Sequence, residues 1–416
     1  MIKKIKGTKD YYGNDSLKFQ FLIKTLEKIS YEYDLEKFIT PTFEETQLFS
    51  RTVGNESDVV NKEMYTFFDR KNRSISLKPE GTASIVRSII ENKLVYNNEK
   101  RNYYYITQMF RYERPQKGRQ REFYQFGVER FGEDNSYFDV ETILIAKRIL
   151  DKLSISQYEL HINTIGSFED RNKYNKVLNK FINKKIQILS KYAQEKFHSG
   201  NVFRIFDSKD EQDLKILKKA PLIYDFISNE SKKRFVELKK ILDKLQIKYY
   251  VNERLVRGLD YYNDVVFEFI STDEENLGSK STIIGGGRYN HLINKLDNNI
   301  DVPAIGFALG IERLLLASNE FLKLKIEKEL DYYIFVIYDE IEMKLKALTI
   351  SEKLREKGFS VKVNYTNEKI SKKYSLAEKE KALNVIVIGK EIYDNEITIK
   401  NLKNQKIERK KMEEIL

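Results

Sequence analysis

The chain has 416 residues, 41% of them hydrophobic, with 74 Lys and Arg against 63 Asp and Glu for a net charge of +11. That length asks for two or three domains, and the apolar content is enough for packed cores, which excludes a wholly disordered chain. The absence of cysteine excludes disulfides, thiolate metal sites and cysteine nucleophiles, and fits a reducing compartment.

The basic start, residues 1–7, leads into no apolar run, and no stretch reaches the ~18 apolar residues of a membrane span, so a soluble cytoplasmic protein is expected. A helix is expected over residues 16–33, where Leu17, Phe21, Ile23, Leu26 and Ile29 make a broad apolar stripe. Residues 38–43 follow as an extended segment in which Pro41 demands an edge or a bulge. Residues 101–111, with Tyr103-Tyr104-Tyr105-Ile106, and residues 122–131 read as strands joined by a polar loop over 115–120. Residues 136–153 read as a helix. From 167 to 245 the pattern turns helical and lysine-rich, and strand-like runs resume at 248–251, 265–270 and 282–284. That order describes a helical insertion, 167–247, within a β-rich domain spanning 1–325. After a charged linker near 316–330, strand 332–338, a helix ending at Gly358, strand 360–365, a further helix and strand 384–389 make a small α/β domain of βαβ units over 326–416.

The positive charge is uneven. Residues 169–248 hold 20 basic and 11 acidic side chains, a local +9, whereas residues 331–416 hold 18 and 15, only +3. A solvated lysine-rich helical surface and a surface for a polyanion such as RNA both fit this excess.

Four segments carry chemistry-bearing side chains. Residues 110–121 set Arg111, Arg114, Lys117, Arg119 and Arg121 on the hairpin, where arginines can take phosphate oxygens in pairs and Gly118 lets the loop fold over a ligand. Strand periodicity puts Arg111 and Glu113 on one face, and gathers Gln125, Gly127 and Glu129 on one face of the returning strand. That second face is poor for a core and suited to the floor of a small-molecule site; an exposed basic hairpin is the alternative. Residues 255–262, Leu-Val-Arg-Gly-Leu-Asp-Tyr-Tyr, offer Arg257 to a phosphate and the Tyr262 hydroxyl to a polar ring, or else form a tight turn capped by Asp260. Gly285-Gly286-Gly287, before Arg288 and Tyr289, allows unusual backbone angles, close ligand approach or a flexible turn, and lacks the spacing of a dinucleotide or Walker loop. In residues 304–314, a strand passing into a helix, Gly306 and Gly310 leave room for a flat ring and Arg313 for its phosphates, or serve close packing alone.

Their order carries more than each segment does. The arginine-rich hairpin, the 257–262 segment, the triple glycine and Gly306-x-x-x-Gly310-x-Glu312-Arg313 resemble the motif series of the histidyl-tRNA synthetases, within the class II synthetase fold. Lys6-Gly7-Thr8-Lys9-Asp10, Glu63-Met64-Tyr65-Thr66-Phe67 and Lys78-Pro79-Glu80-Gly81-Thr82-Ala83 belong to the same resemblance, which runs from about residue 6 to the end. Lys78 and Tyr124 depart from it, standing where arginine and histidine are usual.

The resemblance implies an α+β catalytic domain on a mostly antiparallel sheet, followed by an anticodon-binding domain. It implies a histidine–tRNA ligase that uses ATP with Mg2+, holds no structural metal, works with its cognate tRNA away from membranes, and forms a homodimer through the first helix and the Pro41 segment. Arg111 would hold the α-phosphate and the amino acid carboxylate, Arg119 and Glu113 would serve ATP in the loop, and Arg313 would lie against the adenosine and outer phosphates. Glu80 and Thr82 would take the α-amino group, Gln125 the carboxylate, and Glu129 with Tyr262 the imidazole, with Tyr289 nearby. Arg257 would sit on the α-phosphate in the transition state, sharing the catalytic role with Arg111. The insertion would hold the acceptor end of the tRNA, with Lys232, Lys233, Arg234, Lys239 and Lys240 as contacts. No role is expected of His161, His198 or His291. The nearest alternative is a synthetase-like regulatory subunit of ATP phosphoribosyltransferase, a binding protein without ligase activity. Such paralogues typically lack the C-terminal domain and lose the arginines that stand here.

Overall fold

A computed structural model describes residues 1–54, 57–95, 101–200, 202–208, 210–277, 281–325 and 330–414. They fall into two compact units, Met1–Leu324 and Lys325–Leu416. Among the described residues no helix is long and apolar enough to cross a membrane.

The first unit opens on α1 (Gly13–Glu32), which buries Leu22, Leu26 and Ile29 along one stripe. Two short strands follow, β1 (Glu36–Lys37) and β2 (Phe43–Glu45), in different sheets. The extended segment expected over 38–43 is mostly the crossing between them, since Pro41 has no N–H to offer a ladder. Next come α2 (Thr46–Val53), β3 (Thr66–Phe68), β4 (Ser74–Leu77) and α3 (Thr82–Glu91), with β2, β4 and β3 forming a small antiparallel sheet. The hairpin is β5 (Arg101–Phe110) and β6 (Glu122–Phe131), paired in unbroken register from Arg101 opposite Phe131 to Phe110 opposite Glu122. After α4 (Ser136–Lys152) comes β7 (Tyr158–Thr164), a strand the sequence reading passed over although Leu160 and Ile162 alternate with polar neighbours.

The helical stretch between β7 and β8 (Tyr250–Val251) contains α5 (Phe168–Asn183), α6 (Lys191–His198), α7 (Glu211–Leu217) and α8 (Asn229–Lys244). The last helix joins the main core rather than standing apart: Phe235, Leu238 and Leu242 pack with α4 residues Ile143, Ala146 and Leu150. The unit closes with β9 (Asn263–Ser271), α9 (Glu274–Leu277), β10 (Thr282–Arg288), α10 (Leu292–Leu296), β11 (Ala304–Gly310), α11 (Ile311–Ala317) and α12 (Asn319–Lys325). The supposed linker over 316–330 is thus helical up to Lys325, with Leu322 buried, and 326–329 lie outside the described residues.

Eight strands form the large sheet in the order β1-β5-β6-β11-β10-β9-β7-β8. The six inner strands are antiparallel, and only the two-residue edge strands pair in parallel, with β5 and β7. The mostly antiparallel sheet expected from the motif series is therefore the one observed.

The second unit runs β12 (Leu330–Val336), α13 (Ile341–Glu356), β13 (Val361–Asn364), α14 (Ile370–Lys379), β14 (Ala382–Ile388), β15 (Glu396–Asn401) and β16 (Ile407–Lys411). Strands β13, β12 and β14 are parallel, as βαβ units require, with cores on both faces. The β15–β16 hairpin extends the sheet antiparallel and was not anticipated.

Candidate active site

The middle of the large sheet floors a cleft of about 350 Å³. Ladder register explains why it is open. Glu129 on β6 stands opposite Gly306 on β11, and Gly306 opposite Gly287 on β10, so one row across three strands carries a carboxylate followed by two missing side chains. A Cβ on Gly306 would come within 2.2 Å of Glu129 Oε2. Gly127 likewise stands opposite Tyr105, and its Cβ would lie 2.2 Å from the Tyr105 ring. The triple glycine is therefore strand interior, not a flexible turn. Gly285 yields to the Arg257 guanidinium, Gly286 to the Gly306 carbonyl and Phe307, and Gly287 to the Val265 carbonyl and the Tyr262 ring.

One end of the cleft is a buried network of carboxylates and phenols. Glu129 accepts hydrogen bonds from Thr82 Oγ1 at 2.7 Å and from the Tyr289 hydroxyl. Burial pushes its pKa from an ordinary 4.5 up to about 8. Glu80 accepts from the backbone N–H groups of Thr82 (2.9 Å) and Ala83 (2.8 Å), capping the start of α3, and burial raises its pKa as well. Tyr261 reaches Thr82 Oγ1 at 3.4 Å, and Tyr105 donates to Gln125 Oε1 at 3.2 Å. Burial holds Tyr105, Tyr261 and Tyr289 well above the ordinary phenol range, so they stay neutral donors. Tyr262 packs against Tyr261 with ring centroids 4.7 Å apart. Tyr289 rather than Tyr262 bonds Glu129 directly.

The other end is a ring of arginines. Arg111 donates to the Pro79 carbonyl at 2.8 Å and lies over the Phe123 ring. Arg111 and Glu113, expected on one strand face, sit just beyond the end of β5, with nitrogen and oxygen 3.9 Å apart. Arg119, in the hairpin loop, is 3.3 Å from the other oxygen of Glu113. Arg313 at the start of α11 donates to the carbonyls of Gly118 (3.1 Å) and Thr282 (2.7 Å). Burial, then the charges of Arg119, Arg111 and Arg257 against the pull of Glu113, bring its pKa down to about 10. It remains a cation at neutral pH among cations, an arrangement that an anion relieves. Arg257 donates to Glu268, and its buried Nε has no hydrogen-bond partner among the described residues.

The eleven residues given ligand roles by the resemblance line this one cleft: Glu80, Thr82, Arg111, Glu113, Arg119, Gln125, Glu129, Arg257, Tyr262, Tyr289 and Arg313; Arg114, Lys117 and Arg121 of the hairpin are not in its lining. Sequence reasoning missed Tyr105, Phe123, Tyr261, Glu268 and Thr282, which hold them. Tyr105 was within reach, because the hairpin register sets it opposite Gly127. Nothing in the sequence signals Glu268 as the anchor of Arg257, since they meet only through the folding of β9 against a loop. The departing residues stay behind the cleft: Lys78 is buried against Thr40 at 3.3 Å with its pKa lowered by burial to about 8, and Tyr124 packs against Phe19.

The histidyl-tRNA synthetase family profile matches residues 7–314, and that of the anticodon binding domain matches 332–416. The histidine–tRNA ligase of Fervidobacterium nodosum is 40% identical over 403 residues, covering 97% of this chain and 94% of its own. The apo histidyl-tRNA synthetase of S. aureus superposes with a TM-score of 0.82 at 35% identity, over the whole of both chains. A protein from Bacillus halodurans described as an ATP phosphoribosyltransferase regulatory subunit/histidyl-tRNA synthetase shares the fold, with a TM-score of 0.64 at 17% identity over 94% of this chain and 98% of its own. The fold is that of the class II aminoacyl-tRNA synthetases, which are aminoacyl-tRNA ligases. Within that class the chain belongs to the histidyl-tRNA synthetase family. The regulatory-subunit alternative is the weaker reading, for the ligase relative is far more similar and the four arginines are in place.

Proposed function

We propose that the cleft joins histidine to AMP and passes it to the 3' end of its tRNA, with the two ends of the cleft dividing the work. The observation that carries this reading is the polarity of one cavity, neutral donors and carboxylates at one end and four arginines at the other. Adenylation needs no nucleophile from the protein, because the histidine carboxylate attacks the α-phosphorus and pyrophosphate leaves. Catalysis is then positioning and neutralisation of developing phosphate charge. Arg257 and Arg111 hold the α-phosphate, with Arg111 also on the amino acid carboxylate beside Gln125. Arg119, Glu113 and Arg313 receive the outer phosphates and adenosine of ATP, which enters as its magnesium complex. Glu80 and Thr82 take the α-amino group. Imidazole offers one donor and one acceptor nitrogen in its neutral form, and Glu129 with Tyr262 satisfy them, with Tyr289 steadying the carboxylate.

The wider assembly follows the same reading. Residues 326–416 bind the anticodon, and lysines of the 167–247 insertion hold the acceptor end of the tRNA. Arg234 is not among those contacts. It is turned inward, paired with Asp134 and Asp139, which also hold the fully buried Arg288. Exposed Phe43 and Phe67, which the strand register puts on one face of the small sheet, favour a homodimer through that face. The enzyme works in the cytoplasm, where its tRNA is.

ATP–pyrophosphate exchange with each amino acid in turn tests the assignment. Histidine alone supports exchange; comparable exchange with proline, glycine or threonine overturns it.

A further inference from the structure

Arg257 and Tyr262 carry much of the proposed chemistry, yet the segment that bears them belongs to no helix or strand. Between β8 and β9 its main chain is tied to the sheet domain at few points. Asn163 donates to the Leu255 carbonyl at 3.0 Å, and the Asp260 N–H reaches the Val53 carbonyl at 3.3 Å. Leu255, Tyr261 and Tyr262 pack into the core, so what the sheet domain leaves unbraced is the polar main chain between them.

The insertion supplies that brace from both flanks. On the approach, Arg254 donates to the carbonyls of Leu217 (3.0 Å) and Lys218 (2.9 Å), at the end of α7. On the exit, Arg171 of α5 places both terminal nitrogens 3.3 Å from the Asp260 carbonyl. Arg204, in the 3-10 turn Val202–Asp207, is 3.4 Å from Asp260 Oδ1. The other Asp260 oxygen lies where a Cβ on Gly54 would be, 2.2 Å away, and Gly54 has φ +99°, so the carboxylate is wedged against bare backbone. A Cβ on Gly258 would be 3.4 Å from the Arg204 guanidinium, which therefore lies along the segment rather than merely touching its end. Arg204 is buried, so it is not part of a surface that could meet RNA.

We propose that the helical insertion clamps the 254–262 segment, with Arg171 and Arg204 as positioning residues that act through Asp260 on Arg257 and Tyr262. Amino acid activation then depends on the insertion even when no RNA is present. This rests on the reading of Arg257 and Tyr262 given above, and the test separates the two.

The full-length protein carrying Arg171→Met or Arg204→Met is assayed for histidine-dependent pyrophosphate exchange without tRNA. Misplacing reacting groups by about 1 Å is enough to cost up to ~100-fold, so kcat/KM for histidine falls about 10- to 100-fold. The KM for ATP stays within about twofold, because Arg111, Arg119 and Arg313 are untouched. Arg204→Lys, which keeps a cation on Asp260, recovers most of the loss. Combining Arg204→Met with Arg257→Ala costs less than the sum of the two single losses, since part of the misplacement then falls on a side chain that is absent. Should Arg204→Met fail to fold, Asp260→Asn, of the same size, weakens the same contact. Normal exchange in the clamp variants beside a slow Arg257→Ala enzyme overturns the clamp and leaves the functional reading standing. Equal losses for ATP and histidine, or additive losses in the double variant, also overturn it. A fast Arg257→Ala enzyme overturns the reading and the clamp together.

Discussion

The cleft and the helical insertion both hold excess positive charge, and they hold it differently. In the cleft four arginines converge, each anchored on a carbonyl or carboxylate: Arg111 on Pro79, Arg313 on Gly118 and Thr282, Arg257 on Glu268, Arg119 beside Glu113. Fixed guanidinium groups at partly buried positions suit one ligand with phosphates in defined places. On α8 the charge is split by face. Lys233 and Lys240 are exposed, Lys232 and Lys239 lie partly over the Tyr224 and Phe235 rings, and Arg234 is sequestered with Asp134 and Asp139. Exposed lysines on a helical surface suit a polyanion read by charge alone. A count of basic residues does not separate these cases; burial and anchoring do. Of the 20 basic residues in 169–248, Arg171, Lys196, Arg204 and Arg234 are committed to contacts within the chain.

The contrast can be broken at several points. The largest effect is expected on its inward side. Arg288→Met strips the buried Asp139, and Asp134 at the surface, of a partner 2.6 and 3.1 Å away. It should cost about 3–5 kcal/mol of stability, read by denaturant unfolding; a loss under about 1 kcal/mol would mean the network is not a structural lock. Next comes Arg257→Ala, expected to lower the exchange kcat about 100- to 1000-fold while histidine affinity changes far less. Near-normal kcat would remove Arg257 from the transition state. Glu129 gives a pH signature. Its pKa, raised to about 8 by burial, means the folded protein keeps a proton that the unfolded chain loses near 4.5. Stability therefore falls as pH rises through that window, and Glu129→Gln flattens the fall; an unchanged slope counts against a buried, protonated Glu129. The mildest change is expected on the outward side. Lys233→Ala with Lys240→Ala should raise the KM for tRNA about 3- to 10-fold and reduce the salt slope of binding by about 1–2. If neither changes, α8 is a merely solvated face.

Much of the site was legible because strand periodicity and motif order are local or sequential. The shared face of Gln125, Gly127 and Glu129 follows from residue spacing alone, and β6 spans the residues expected. What was not legible depends on partners far away in sequence. Gly285–Gly287 shows no alternation because glycine has no side chain, so a strand shaped by Arg257, Phe307 and Tyr262 looks like a turn. The membership of α8 in the main core was hidden because its lysines dominate its composition, while Phe235, Leu238 and Leu242 fix its place. Arg234 shows the same limit: nothing local distinguishes it from Lys233.

Calorimetry on Glu129→Gln tests most directly whether the cleft has a histidine end and an ATP end. A neutral amide keeps the shape of the floor but cannot ionise against the imidazole as the Glu129 carboxyl group can. Histidine affinity should fall roughly tenfold or more, while ATP binds within about twofold of its original strength. Equal losses for both ligands, or full-strength histidine binding, would contradict the division of the cleft.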